Sequence, residues 1–95
     1  MDQMNKAFIA KLHFNEKGLI PAIAQDWLDG AVLMMAWMNQ KALEQTLISG
    51  EVHYWSRSRK VLWHKGATSG HIQKLKGIRY DCDSDVILFT VEQIG

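Results

Sequence analysis

This 95-residue chain has one cysteine, one proline and almost no excess of charge. Each shortage excludes something. Cys82 has no partner for an internal disulfide, so covalent staples are ruled out and a reducing compartment, the cytoplasm, fits best. No apolar run approaches the roughly 20 residues that span a bilayer, and the stretch from Met1 to Lys11 lacks the apolar segment of a secretory signal. Eleven Lys and Arg against ten Asp and Glu leave a formal net charge of +1, which argues against holding nucleic acid or an anionic membrane by bulk charge. Pro21 stands alone, and no Ser/Gly-rich linker, charge block or repeat divides the chain, so residues 1–95 read as one domain. Hydrophobic residues at 47% against 22% charged exclude a disordered segment.

Apolar periodicity sets the elements. Ile20 to Trp27 reads as a strand, Asp29-Gly30 as a type I′ hairpin signal, and Val32 to Met38 as the returning strand. That second strand is apolar on both faces, so it is expected to be buried on both or to face a partner chain. Asn39 as N-cap, Ala42, Leu43, Leu47 and Ile48 at helical spacing, and Gly50 at C′ predict a single helix. Val52 to Arg59 alternates with period two, which would put His53, Trp55, Arg57 and Arg59 on one face. His71 to Tyr80 and Val86 to Gln93 complete the strands, with Ile87, Phe89 and Val91 facing one way. The expected architecture is mostly β (α+β): a twisted antiparallel sheet or pseudo-barrel capped by one helix. A chain this short buries a modest share of its surface, so the apolar Val32–Met38 strand predicts a homodimer.

Three segments can carry chemistry. Ser56-Arg57-Ser58-Arg59-Lys60 offers planar guanidinium forks and hydroxyls suited to phosphate, beside Trp55, which can stack on a base; a solvated edge strand blunted by positive charge has the same composition. Trp63-His64-Lys65-Gly66-Ala67-Thr68-Ser69-Gly70 brackets hydroxyls with glycines, so amides and side chains can converge on an anion, although the spacing is not that of a P-loop and an ordinary hairpin loop also fits. The closeness of these two segments predicts one anion pocket lined by Arg57, Arg59, Lys65, Thr68 and Ser69. Asp81-Cys82-Asp83-Ser84-Asp85 alternates carboxylates suited to Mg²⁺ around a thiolate suited to Zn²⁺; the bland alternative is an acidic turn with a buried cysteine. It is not an EF-hand, since Val86 occupies the position where that loop needs glycine.

Taken in order, these segments resemble phosphoribosyl-AMP cyclohydrolase, a hydrolase of histidine biosynthesis. The resemblance is carried by Ser56-Arg57-Ser58-Arg59, by Leu62-Trp63-His64-Lys65-Gly66 with Thr68-Ser69-Gly70-His71 and Gln73, and by Asp81-Cys82-Asp83-Ser84-Asp85. It implies an interlocked homodimer with active sites at the subunit interface, Mg²⁺ on Asp81, Asp83 and Asp85, and Zn²⁺ on Cys82. It further implies that the N1–C6 bond of 1-(5-phosphoribosyl)-AMP is opened by a zinc-activated water. Trp55, Ser56, Arg57, Ser58, Arg59, Lys65, Thr68, Ser69 and Gly70 would then bind the nucleotide, and His71 or His64 would move a proton. Two departures stand out. Ala67 occupies a position where the family pattern has Glu, and the family's Cys-His-Thr-Gly…Ser-Cys segment, with two further zinc thiolates, does not occur in these residues. Both departures lead to the expectation that the 95 residues alone lack tight zinc and have little or no activity. The competing reading is a small β-domain that holds single-stranded nucleic acid through Trp55, Arg57, Arg59 and Trp63; it leaves the acidic cluster without a role.

Overall fold

The computed structural model describes residues 3–95. In chain order the elements are α1 (Gln3–Ala10), β1 (Ile20–Asp26), β2 (Val32–Met38), α2 (Gln40–Ser49), β3 (His53–Ser56), β4 (Val61–His64), β5 (Gln73–Tyr80) and β6 (Ile87–Gln93). Four strands form one sheet in the order β2-β1-β6-β5, and β3 with β4 forms a separate two-stranded ribbon. The mostly-β expectation holds, with three corrections. The sheet is mixed, because β1 and β6 run parallel while β1–β2 and β5–β6 are antiparallel. It stays open, with β2 and β5 as edges, and is not closed into a barrel. Two helices are present where one was expected.

The core lies on one face of the two central strands. Ile20, Ala22 and Ala24 of β1 and Ile87, Phe89 and Val91 of β6 are buried and alternate with less buried neighbours. The register sets Ala22 beside Ile87 and Ala24 beside Phe89, so small residues make room for large ones. Helix α2 supplies Ala42 and Leu43 to the same core, together with buried Thr46. Its ends form as the sequence indicates. Asn39 Oδ1 accepts from the Ala42 amide at 2.9 Å, and Gly50 adopts a left-handed φ of 75° with its amide donating to the Thr46 carbonyl. Helix α1 is fixed by tertiary contact, with Ile9 buried in the core and Phe8 edge-on to Tyr80 at 5.5 Å.

Local departures have local causes. The β1–β2 connection is a hairpin, but it spans Trp27–Ala31 and is not a two-residue turn. Asp26 Oδ2 accepts from the Leu28 and Asp29 amides at 3.0 Å each, which widens the loop, and Gly30 takes φ 78°. Strand β2 is not buried on both faces: at the sheet edge, Val32 and Met35 are 69% and 53% exposed. The expected long strand Val52–Arg59 ends at Ser56. The chain then turns through Arg57–Lys60 and returns as β4, so Arg57 and Arg59 leave the face shared by His53 and Trp55. The Lys60 amide donates to the Ser56 carbonyl at 2.8 Å, with Lys60 itself at φ 55°. Tyr54 donates to Gln73 Oε1 in a buried contact and Gln73 donates to Gln93 Oε1 in a part-buried one, tying the ribbon to the sheet. Burial without a charged partner pushes the Tyr54 hydroxyl far above its ordinary range.

Candidate active site

The ribbon and the loop that leaves it hold most of the candidate residues. At the β3–β4 turn the Ser56 hydroxyl accepts from the Arg59 amide at 3.3 Å, which helps to shape the turn. Arg57 lies over the Trp37 ring at 4.8 Å, so its guanidinium is oriented by an aromatic face contributed by β2. Ser58 and Arg59 are exposed. Trp55 and Arg57 line a cavity together with Lys17, Leu19 and Lys60.

Beyond β4, Lys65 donates to the His71 carbonyl at 3.3 Å, and the Ser69 hydroxyl accepts from the His71 amide. Gly66 holds φ 87°, and a side chain there would collide with the backbone of His71 and Ile72; only glycine lets the loop fold this closely. A second cavity, of about 330 Å³, is lined by Leu62 to Ser69. It contains His64, Lys65, Thr68 and Ser69 but not Arg57. Of the donors expected in one pocket, Arg57 therefore lines the first cavity, Lys65, Thr68 and Ser69 line the second, and Arg59 lines neither of the two. Gly70 and His71 are exposed beside the second, and Ala67 sits in its wall.

His64 belongs to a cluster that sequence spacing does not reveal. It pairs with His53 across the ribbon, and the two imidazoles stack at 4.4 Å and 9°. His64 Nε2 lies 2.7 Å from Glu51 Oε1, and His53 Nδ1 lies 2.8 Å from the Glu51 carbonyl. A carboxylate on one imidazole nitrogen fixes the ring and leaves the other nitrogen available for proton transfer. Burial, together with the neighbouring His64, lowers the pKa of His53 despite the opposing pull of the Glu51 carbonyl and carboxylate. Only the strand register brings Glu51, His53 and His64 together, which is why reading along the chain missed Glu51.

At the β5–β6 turn, carboxylate oxygens of Asp81, Asp83 and Asp85 all lie within 4.8 Å of one another, and all three residues are exposed. Asp81 Oδ1 accepts from the Asp85 and Val86 amides at 3.0 and 3.3 Å, and Ser84 turns the chain at φ 60°. Desolvation pushes Asp81 up, but these amides and the Asp85 side chain outweigh it, and its pKa is lowered. Asp85 is raised, first by its side-chain hydrogen bond with Asp81, then by desolvation and by the charges of Asp81 and Asp83. His13, upstream of β1, braces the turn: its Nδ1 lies 2.9 Å from the Asp83 carbonyl, and its amide donates to the Ser84 carbonyl at 2.7 Å. Cys82 is exposed, which corrects the picture of a buried thiol within an acidic turn.

A family model described as phosphoribosyl-AMP cyclohydrolase matches residues 34–95, well over half of the chain. The chain belongs to the phosphoribosyl-AMP cyclohydrolase family. Over its whole length it is 76% identical to the "Histidine biosynthesis bifunctional protein HisIE" of a strain of Prochlorococcus marinus, covering 42% of that protein. It is 66% identical over 91 residues, 96% of the chain, to the "Phosphoribosyl-AMP cyclohydrolase" of Trichormus variabilis and covers 78% of that protein. The chain thus spans about two fifths of the bifunctional relatives that it matches. The family match includes the ribbon, the Gly66 loop and the acidic turn, while Lys17 lies upstream of it. Among the described residues, no helix is long and apolar enough to cross a membrane.

The two metals that the cyclohydrolase resemblance implies fare differently here. Three hard carboxylates around one turn suit magnesium, which accepts water in its remaining positions. Zinc normally takes three or four protein ligands. Among the described residues Cys82 joins no group of three ligating side chains, so one chain's described residues do not fit a closed zinc site.

Proposed function

We propose that this chain carries the phosphoribosyl-AMP cyclohydrolase step of histidine biosynthesis, the hydrolytic opening of the adenine ring of 1-(5-phosphoribosyl)-AMP. Alkylation at N1 makes the ring amidinium-like and C6 electrophilic. Water adds at C6, the N1–C6 bond breaks, N1 leaves carrying a proton, and C6 keeps its exocyclic amine as a carboxamide. The chain's residues account for binding and proton movement. Arg57, Arg59, Lys65, Thr68 and Ser69 are cationic and hydroxyl donors for the two phosphates, with Ser56, Ser58 and Gly70 in the same segments. Trp55 offers a stacking face. His64, oriented by Glu51, can take a proton from the attacking water, and exposed His71 is the other imidazole of these segments that can move one.

Asp81, Asp83 and Asp85 would hold Mg²⁺, and when bound the cation supplies charge that polarises an oxygen ligand. No step is assigned to zinc. With one thiolate in these 95 residues, we expect tight zinc to be absent and little or no steady-state turnover by them alone. Ala67 weighs the same way, since a carboxylate implied for the loop is missing. The open apolar edge of β2 supports a homodimer, with Val32, Leu33 and Met35 buried in its interface.

The observation that carries this reading is the family match, which includes all three chemistry-bearing segments. Its test is a single-turnover assay with protein in excess, following absorbance as the ring opens. Mg²⁺-dependent opening is expected. No opening, together with no preference for the N1-alkylated nucleotide over AMP in calorimetry, would overturn it.

A further inference from the structure

One cavity has a composition that sequence reading did not single out. It lies where the turn before β1 meets the β3–β4 turn, is about 530 Å³, and is lined by Lys17, Leu19, Trp55, Arg57 and Lys60. That volume is within the range of small-ligand sites. Its charge is one-sided, with three cations and no carboxylate in the lining. The ion pairs among the described residues, His64–Glu51 and Lys76–Glu92, involve none of these cations. Three uncompensated cations around one concavity focus a positive potential that a doubly charged phosphate relieves.

Both turns are also pinned. Asn15 Oδ1 accepts from the Lys17 and Leu19 amides at 2.9 and 3.0 Å, and the Asn15 amide donates back to the Leu19 carbonyl at 2.8 Å. This fixes the backbone that presents Lys17. Across the cavity, Arg57 is laid over Trp37, and Lys60 is held in a left-handed conformation by the closure of its turn. That conformation is uncommon for a lysine, and Lys60 lines the cavity from it. Trp55 adds a flat apolar wall beside the cations.

We infer that this cavity binds a phosphomonoester of a nucleotide, with Lys17, Arg57 and Lys60 as its donors and Lys17 as a binding residue that lies outside the family-matched segment. Identifying that phosphate as one of the cyclohydrolase substrate's two rests on the proposed function; the second cavity, with Lys65, Thr68 and Ser69, is then free for the other.

The experiment is calorimetric titration of the chain with AMP, adenosine and inorganic phosphate, repeated for Lys17→Ala, Lys17→Arg and Lys60→Ala. Both lysines are exposed, so folding is checked by thermal melting and expected unchanged. AMP should bind at least about tenfold tighter than adenosine, and Lys17→Ala or Lys60→Ala should remove most of that margin while Lys17→Arg restores it. Equal binding of AMP and adenosine would overturn the site, as would a margin untouched by Lys17→Ala. Inorganic phosphate binding as tightly as AMP would overturn the nucleotide assignment in favour of a free-phosphate site. A phosphate margin that depends on Lys17 in a chain that neither opens the ring nor prefers the N1-alkylated nucleotide over AMP would uphold the site and overturn the proposed activity.

Discussion

The four-stranded sheet and the β3–β4 ribbon divide the molecule's tasks. In the sheet, β1 and β6 bury Ile20, Ala22, Ala24, Ile87, Phe89 and Val91 completely. The ribbon buries one large side chain, Tyr54, and otherwise presents half-buried or exposed groups: the two histidines, Trp55, and a turn of Arg57 to Lys60. Apolar burial scales with area removed from water, so the sheet supplies most of the stability. Among the described residues, Arg57, Arg59 and Lys60 at the ribbon's turn stand outside the ion pairs, which leaves their donors available. The two parts meet through Tyr54, Gln73 and Gln93, and through the Val52 amide donating to the Gln73 carbonyl. Sites placed on turns anchored to a rigid sheet combine exposure with fixed geometry.

The largest effect should come from the sheet. Phe89→Ala removes a fully buried ring opposite Ala24 and should cost about 3–5 kcal/mol in urea denaturation. A loss below about 1 kcal/mol would show that the ribbon shares the core's role. Next comes the hinge between the two regions. Gly66→Ala places a methyl against the His71 and Ile72 backbone at positive φ, and a loss of roughly 2 kcal/mol is expected with the Leu62–Ser69 cavity distorted. An unchanged melting temperature would mean that the loop relaxes freely.

A smaller effect concerns acid. The pKa of His53 is lowered from 6.5 in the fold, so the unfolded chain takes up a proton that the folded chain refuses. Stability from this group is present above 6.5 and lost as pH falls below it toward the folded value. Thermal melting should therefore show part of its decline between neutral and mildly acidic pH, and His53→Gln should flatten that part. An identical profile in the variant would remove His53 from the account.

The sequence carried the regular parts of both regions. Period-two burial in β6, the Asn39 and Gly50 caps of α2 and the hairpin after β1 can all be read from local residue chemistry. Helix α1 could not, because its position depends on Ile9 and Phe8 meeting distant residues. The alternation of Val52 to Arg59 misled for a related reason. It continues past the point where Ser56 begins a turn, and no strong turn residue marks Arg57–Lys60. At the candidate site, the acidic turn was visible because its three carboxylates lie close in sequence, and the structure gathers them. The turn raises the pKa of Asp85 but lowers that of Asp81, since the amide donors to Asp81 Oδ1 are set by the fold of the turn. Glu51, Trp37 and Lys17 escaped notice because their partners lie on other strands or turns.

The division between a stabilising sheet and a binding ribbon is tested most directly by the Arg57→Ala/Arg59→Ala double variant. Its affinity for 1-(5-phosphoribosyl)-AMP is measured by calorimetry beside its melting temperature. Both arginines are exposed, so the melting temperature should stay close to that of the parent chain while affinity falls at least about tenfold. Unchanged affinity, or a melting temperature that drops as it would for a core substitution, would contradict the account.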